Sequence, residues 1–224
     1  MITGIFNLNG STNLDATFYF AFGTLAMLFV AWRFLASKQT PLKQFGQGLV
    51  AYGLAFATWT YIVATHPADL NLFATIGVIP FVVGHLLMVN AATHDWQKNN
   101  RNLAFGLGGA FLVVLFVLRT WVLPTEPGFS EQGLFFFHAD PIVLLMYIVT
   151  FAGAFMTALQ VVSNRIATRW LAAMTRIGFN MVVLSGAILL AASDETLQYY
   201  NGWLMLIGLL ILVVSYLRAK PTVK

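Results

Sequence analysis

Seven runs of apolar residues follow one another along the chain, separated by short polar breaks. They cover residues 15–36, 43–65, 71–93, 102–123, 141–163, 169–193 and 197–218. A hydrocarbon layer about 30 Å thick is crossed by roughly 20 helical residues, so each run is long enough to predict one transmembrane helix. Apolarity that goes all round a helix, and not along one stripe, marks a segment enclosed by other helices and lipid. Pro41, Pro67, Pro124, Pro127 and Pro141 sit in the breaks or at span starts, where a missing N–H costs least. The expected fold is all-α: a polytopic membrane protein whose residues 1–224 form a single bundle of seven transmembrane helices.

Charge tests this reading independently, because basic residues near span ends stay on the cytoplasmic side. Arg33, Lys38, Lys43, Lys98, Arg101, Arg165, Arg169, Arg176, Arg218, Lys220 and Lys224 fall on one side of the seven-span layout, and of the 12 Lys and Arg residues only Arg119 lies toward the other. Seven of the eight acids fall opposite, with Asp95 the exception. An even number of spans would scramble this segregation, so the N-terminus is expected outside and the C-terminus in the cytoplasm. Met1 to Leu14 lack the basic n-region of a signal peptide, and the first run is read as a retained span. The expected location is the inner or plasma membrane, multi-pass, with the basic face against anionic headgroups. That placement also accounts for the net charge of +4 without nucleic acid.

Composition agrees and narrows the chemistry. The chain is 59% hydrophobic and 9% charged, which leaves no polar surface for a soluble domain of this size. It has no cysteine, so disulfides, thiolate metal sites and cysteine nucleophiles drop out. Trp32, Trp96, Trp121, Trp170, Tyr199 and Tyr200 fall near span ends, as an interfacial aromatic belt requires. Small residues four apart, Gly53 with Ala57 and Gly106 with Ala110, predict close helix approach. A faint similarity relates the first three spans to the last three, with the fourth as a linker, an arrangement known from transporters.

The candidate chemistry lies in polar residues inside the spans. Counted by depth, His85 and Asn180 come near the midplane, with Asn90, Arg176, Gln47 and Gln160 about one turn nearer the basic side. Polar groups in hydrocarbon usually face the bundle interior and often line substrate paths, so His85, Asn90, Gln160, Arg176 and Asn180 are the expected ligand-binding set. Arg176 has no acid within any span to neutralise it, which suits either an anionic ligand or a side chain reaching back to the headgroups. His85 follows Pro80, and a proline within a helix frees a carbonyl and kinks the axis. His94, nine residues on, lies on the opposite helix face, so the two cannot share one metal. On the acidic side, His66, Asp69, His138 and Asp140 form a candidate metal site together with Glu126, Glu131, Asp194 and Glu195. Asp69 and Asp140 equally suit helix caps, and Arg119 is placed to pair with this rim.

The topology resembles the rhodopsins, but a retinal Schiff base requires a lysine in the last span, and residues 197–217 contain none. Seven-span zinc hydrolases use histidines there, which are also missing. The leading functional expectation is a small membrane transporter or carrier binding a small polar or anionic ligand within the bundle. A second is a non-catalytic subunit or seven-helix sensor acting through a partner membrane protein or as a homo-oligomer. A third is an intramembrane metal-dependent enzyme; a non-enzymatic role is favoured over it.

Overall fold

The structure is a computed structural model, and it describes residues 14–65, 67–123, 127–129, 135–136, 140–191 and 195–219. Seven α-helices account for nearly all of it: α1 Leu14–Leu35, α2 Thr40–Thr65, α3 Leu70–Ala92, α4 Lys98–Val117, α5 Pro141–Ser163, α6 Arg169–Ala191 and α7 Glu195–Arg218. Each of the seven contributes a segment long and apolar enough to cross a membrane. The fold is therefore all-α, with seven helices able to span a membrane, as a multi-pass membrane protein requires. Two short strands, β1 Gly128–Phe129 and β2 Phe135–Phe136, pair antiparallel between α4 and α5.

The helix starts show why the breaks fall where they do. The Asp69 carboxylate accepts a hydrogen bond from the Leu72 N–H at 3.0 Å, and the Asp140 carboxylate accepts one from Ile142 N–H at 2.8 Å. Both aspartates satisfy an amide that the first helical turn leaves without a partner. Pro141 follows at the first position of α5, where its locked φ is already helical. Pro80 lies within α3, which continues through it to Ala92. The last turn of the fourth span is π-helical over Leu118–Val122.

Helices α1, α2, α3, α5, α6 and α7 close into a ring, each packed on the next and α7 on α1. Helix α4 stands outside, chiefly against α3, and buries just Leu112 and Leu115 before its π-helical turn. Helix α2 is the most enclosed, and also reaches across to α5. Two pairs of glycines set close crossings. A methyl built on Gly48 of α2 would lie 3.2 Å from the Gly84 carbonyl oxygen of α3, and one on Gly178 of α6 would lie 2.9 Å from that of Gly208 on α7. Backbones this near exclude any side chain, which is how membrane helices gain dispersion contacts that lipid does not supply. Gly53 likewise seats Leu28 of α1, whereas a methyl on Gly106 would meet nothing within 4 Å, so the expected close approach at Gly106 and Ala110 is not built.

The basic residues gather at one end, here called the basic end. Arg33 donates to the Ala219 carbonyl at 2.6 Å, tying α1 to the end of α7. Arg165 pairs with Asp95, joining the α3–α4 turn to the α5–α6 turn. Trp32, Trp96, Trp121, Trp170 and Tyr200 are all exposed near helix ends, the arrangement an aromatic belt needs.

Candidate functional site

A cavity of about 70 Å³ lies inside the ring, in the half away from the basic end. Three helices present it with periodic stripes. Tyr52, Phe56 and Trp59 follow one face of α2; Leu144, Tyr147, Phe151 and Phe155 follow one face of α5; Val182, Val183, Gly186 and Leu189 follow one face of α6. Spacings of three and four keep each set on one side of its helix. Phe81 of α3 stacks on Phe151 with ring centroids 4.7 Å apart and stands 5.2 Å from Tyr52. Offset and edge contacts of this kind hold aromatic walls in fixed orientation.

Toward the basic end the cavity wall at Phe155 joins a cluster of three rings from three helices. Phe45 of α2, Phe155 of α5 and Phe179 of α6 contact one another with centroids 5.3 to 5.7 Å apart. All three are essentially inaccessible. They form an aromatic plug beneath the cavity.

One charged residue lines this apolar space. Arg119, in the π-helical turn, is 4% exposed and continues the inward face that Leu112 and Leu115 begin. Tyr147 of α5 lines the same cavity within electrostatic range of the guanidinium. Among the described residues the ion pair formed is Arg165 with Asp95, and Arg119 is in none. Glu126, Glu131 and Asp194 of the acidic rim, with which Arg119 is expected to pair, lie outside the described residues, while the guanidinium itself is buried in the bundle. A buried cation is costly unless an anion or several hydrogen bonds offset the loss of water. Tyr52 supplies a second polar group: it is 2% exposed, and its hydroxyl has no hydrogen-bond partner among the described residues.

The polar residues expected to converge do not do so. His85 is interior, 2% exposed, with no partner for Nε2 among the described residues and its ring near Phe151. Asn90 is half-buried and its side-chain oxygen accepts from Arg101 Nε at 3.0 Å. Gln47, Gln160, Arg176 and Asn180 are exposed. Arg176 and Asn180 share the outward face of α6 with Ile177 and Leu184. Arg176 donates through Nε to Ser163 Oγ and through Nη2 to Asn164 Oδ1, both at 2.6 Å, so its partners are the end of α5 and not Asn90 or Gln160.

The candidate metal site fares differently at its two ends. Asp69 and Asp140 are occupied as helix caps. His66 and His138, with Glu126, Glu131 and Asp194, lie outside the described residues. Among the described residues no cluster of three or more metal-ligating side chains forms.

Two buried interactions escaped the sequence reading. Thr175 and Tyr216 share a hydrogen bond of 3.0 Å between α6 and α7, and Ser185 donates to the Asn201 carbonyl at 3.3 Å. Comparison with known protein families gives no match, and comparisons with curated proteins and with solved structures give none either.

Proposed function

We propose that the chain is a small carrier that takes an apolar molecule bearing one anionic group into the cavity around Arg119. The observation that carries this reading is a guanidinium buried in an aromatic chamber and in no ion pair among the described residues. An anion beside Arg119 offsets the cost of burying it, while the rings contact an apolar body. A cavity of about 70 Å³ exceeds several-fold the roughly 10–15 Å³ that one water requires. That space, about half the ~150 Å³ of a cavity that takes benzene, suits a short chain as it stands and a single ring once its walls move apart, and it narrows the small polar or anionic ligand expected from the polar residues of the spans to an anion with an apolar body. With the basic end cytoplasmic, as the charge segregation indicates, the cavity opens the outer half of the bundle to ligand.

The test is uptake of benzoate into proteoliposomes, beside its neutral counterpart benzamide. Saturable uptake of benzoate, reduced more than about tenfold in Arg119→Met, is expected. Equal handling of benzamide, or undiminished uptake by the variant, overturns the reading.

A second reading, a subunit working through another membrane protein, rests on Gln160 and Asn180. Both are exposed among apolar neighbours on the outer faces of α5 and α6. Amides in hydrocarbon seek hydrogen-bond partners across helices. Co-purification of a stoichiometric second protein, lost on changing Gln160 and Asn180 to Leu, supports it; unchanged composition in the variant removes it.

A further inference from the structure

The seam between α3 and α4 is open at the basic end, and what it holds differs from the Arg119 chamber in every respect. A groove of about 630 Å³ runs there, with Lys98, Arg101 and Asn102 at its head and Phe105 and Gly106 along its side. It carries two cations and no acid among its lining residues. Asp95, the nearest acid along the chain, is taken by Arg165. Asn90 holds Arg101 through its Nε at 3.0 Å and its Nη2, which fixes the guanidinium at the groove wall. Gln97 gives α4 no side-chain cap, so the positive end of that helix adds to the field at the same place. Trp96, at the groove's edge, is exposed as an interfacial anchor would be.

Below this charged head the groove turns apolar and stays unfilled. A methyl on Gly106 would meet nothing within 4 Å, and one on Gly108 or Gly109 would come no closer than 3.7 Å to Val89 or 4.0 Å to Leu86. Leu103, Phe105 and Leu107 are exposed along the same helix. Thus a patch of positive charge leads onto an apolar face that stands open at Gly106 and comes to ordinary contact with α3 at Gly108 and Gly109.

We propose that this groove is a binding site for one anionic phospholipid, its phosphodiester between Lys98 and Arg101 and one acyl chain lying along the Gly106 seam. Charge complementarity selects the headgroup, since basic pockets between membrane helices bind acidic lipid heads. The apolar continuation selects a lipid over a free anion. The site is independent of the Arg119 reading, and neither depends on the other.

Native mass spectrometry of the full chain in mild detergent tests this, with dioleoyl phosphatidylglycerol and dioleoyl phosphatidylcholine as probes. One phosphatidylglycerol per chain is expected to be retained in preference to phosphatidylcholine. Retention should weaken about 5-fold in Lys98→Gln and about 30-fold in the Lys98→Gln, Arg101→Gln double variant. Lys43→Gln, at the same end but outside the groove, should bind as the parent does. Lys98 is exposed, so that single variant keeps the test valid if loss of Arg101 disturbs the fold. Equal retention of phosphatidylcholine, or no change in the Lys98→Gln variant, overturns the proposal. Displacement by millimolar glycerophosphate also overturns it, because the groove would then be an anion site and not a lipid site.

Discussion

Gly178 and Gly208 meet backbone to backbone: a methyl on Gly208 would stand 2.8 Å from the Gly178 carbonyl oxygen, and one on Gly178 would stand 2.6 Å from Leu212 Cγ. Neither methyl fits unless α6 and α7 move apart. Gly178→Ala and Gly208→Ala should each destabilise the protein by about 1–3 kcal/mol, the usual cost of overpacking. Gly106→Ala should leave stability within about 0.5 kcal/mol, as ordinary surface changes do. Thermal unfolding in one detergent compares all three, and equal melting temperatures would refute the close crossing.

Arg119 separates stability from function. Replacing a buried charge that is in no ion pair among the described residues by a residue of similar length and apolar character removes a desolvation penalty, an exchange that is neutral or stabilising by about 1–4 kcal/mol. Arg119→Met should therefore melt at or above the parent temperature while losing benzoate uptake. A fall in melting temperature would mean that Arg119 holds the bundle together and has a structural role.

Tyr52 and Tyr216 are similarly buried, at 2% and 5% exposure, yet differ in bonding. The Tyr52 hydroxyl has no partner among the described residues, whereas that of Tyr216 bonds to Thr175. Tyr52→Phe should be neutral or stabilising, and Tyr216→Phe should cost about 1 kcal/mol. The same sign for both, read by denaturant or thermal unfolding, would contradict this assignment.

Asp69 and Asp140 discriminate capping from metal binding. Asparagine caps a helix about as well as aspartate, while alanine costs about 0.5–2 kcal/mol. Asp69→Asn and Asp140→Asn should melt with the parent, and the alanine variants below it. A marked loss in the asparagine variants, restored by added zinc, would point back to a carboxylate ligand.

The spans were legible because crossing a membrane demands length and continuous apolarity, and both are written locally in sequence. Predicted 43–65 became Thr40–Thr65, and predicted 141–163 is Pro141–Ser163. The inward face of each helix was not legible. In a bilayer the outside of the bundle is as apolar as the inside, so no periodicity told Asn180, which faces out, from His85, which faces in. Depth alone aligned the two. Arg119 illustrates the converse. Its place near a span end suggested a rim residue, and just its spacing from Leu112 and Leu115 showed that it continues an inward stripe. The partners of Arg176 lay 12 and 13 residues earlier, on the end of a different helix, and pairing across a turn depends on how two helices dock.

The plug of Phe45, Phe155 and Phe179 has a kinetic consequence. A solute leaving the cavity toward the basic end must displace rings anchored on α2, α5 and α6, each wedged against the other two. Packed rings of this kind do not yield one at a time, because each rotamer change needs space that its neighbours occupy. Passage is then paced by collective helix motion, on the microsecond to millisecond scale at about the fastest, and not by diffusion. For the proposed carrier this predicts a flux that saturates with solute concentration and a planar-bilayer current without the unitary steps of an open pore.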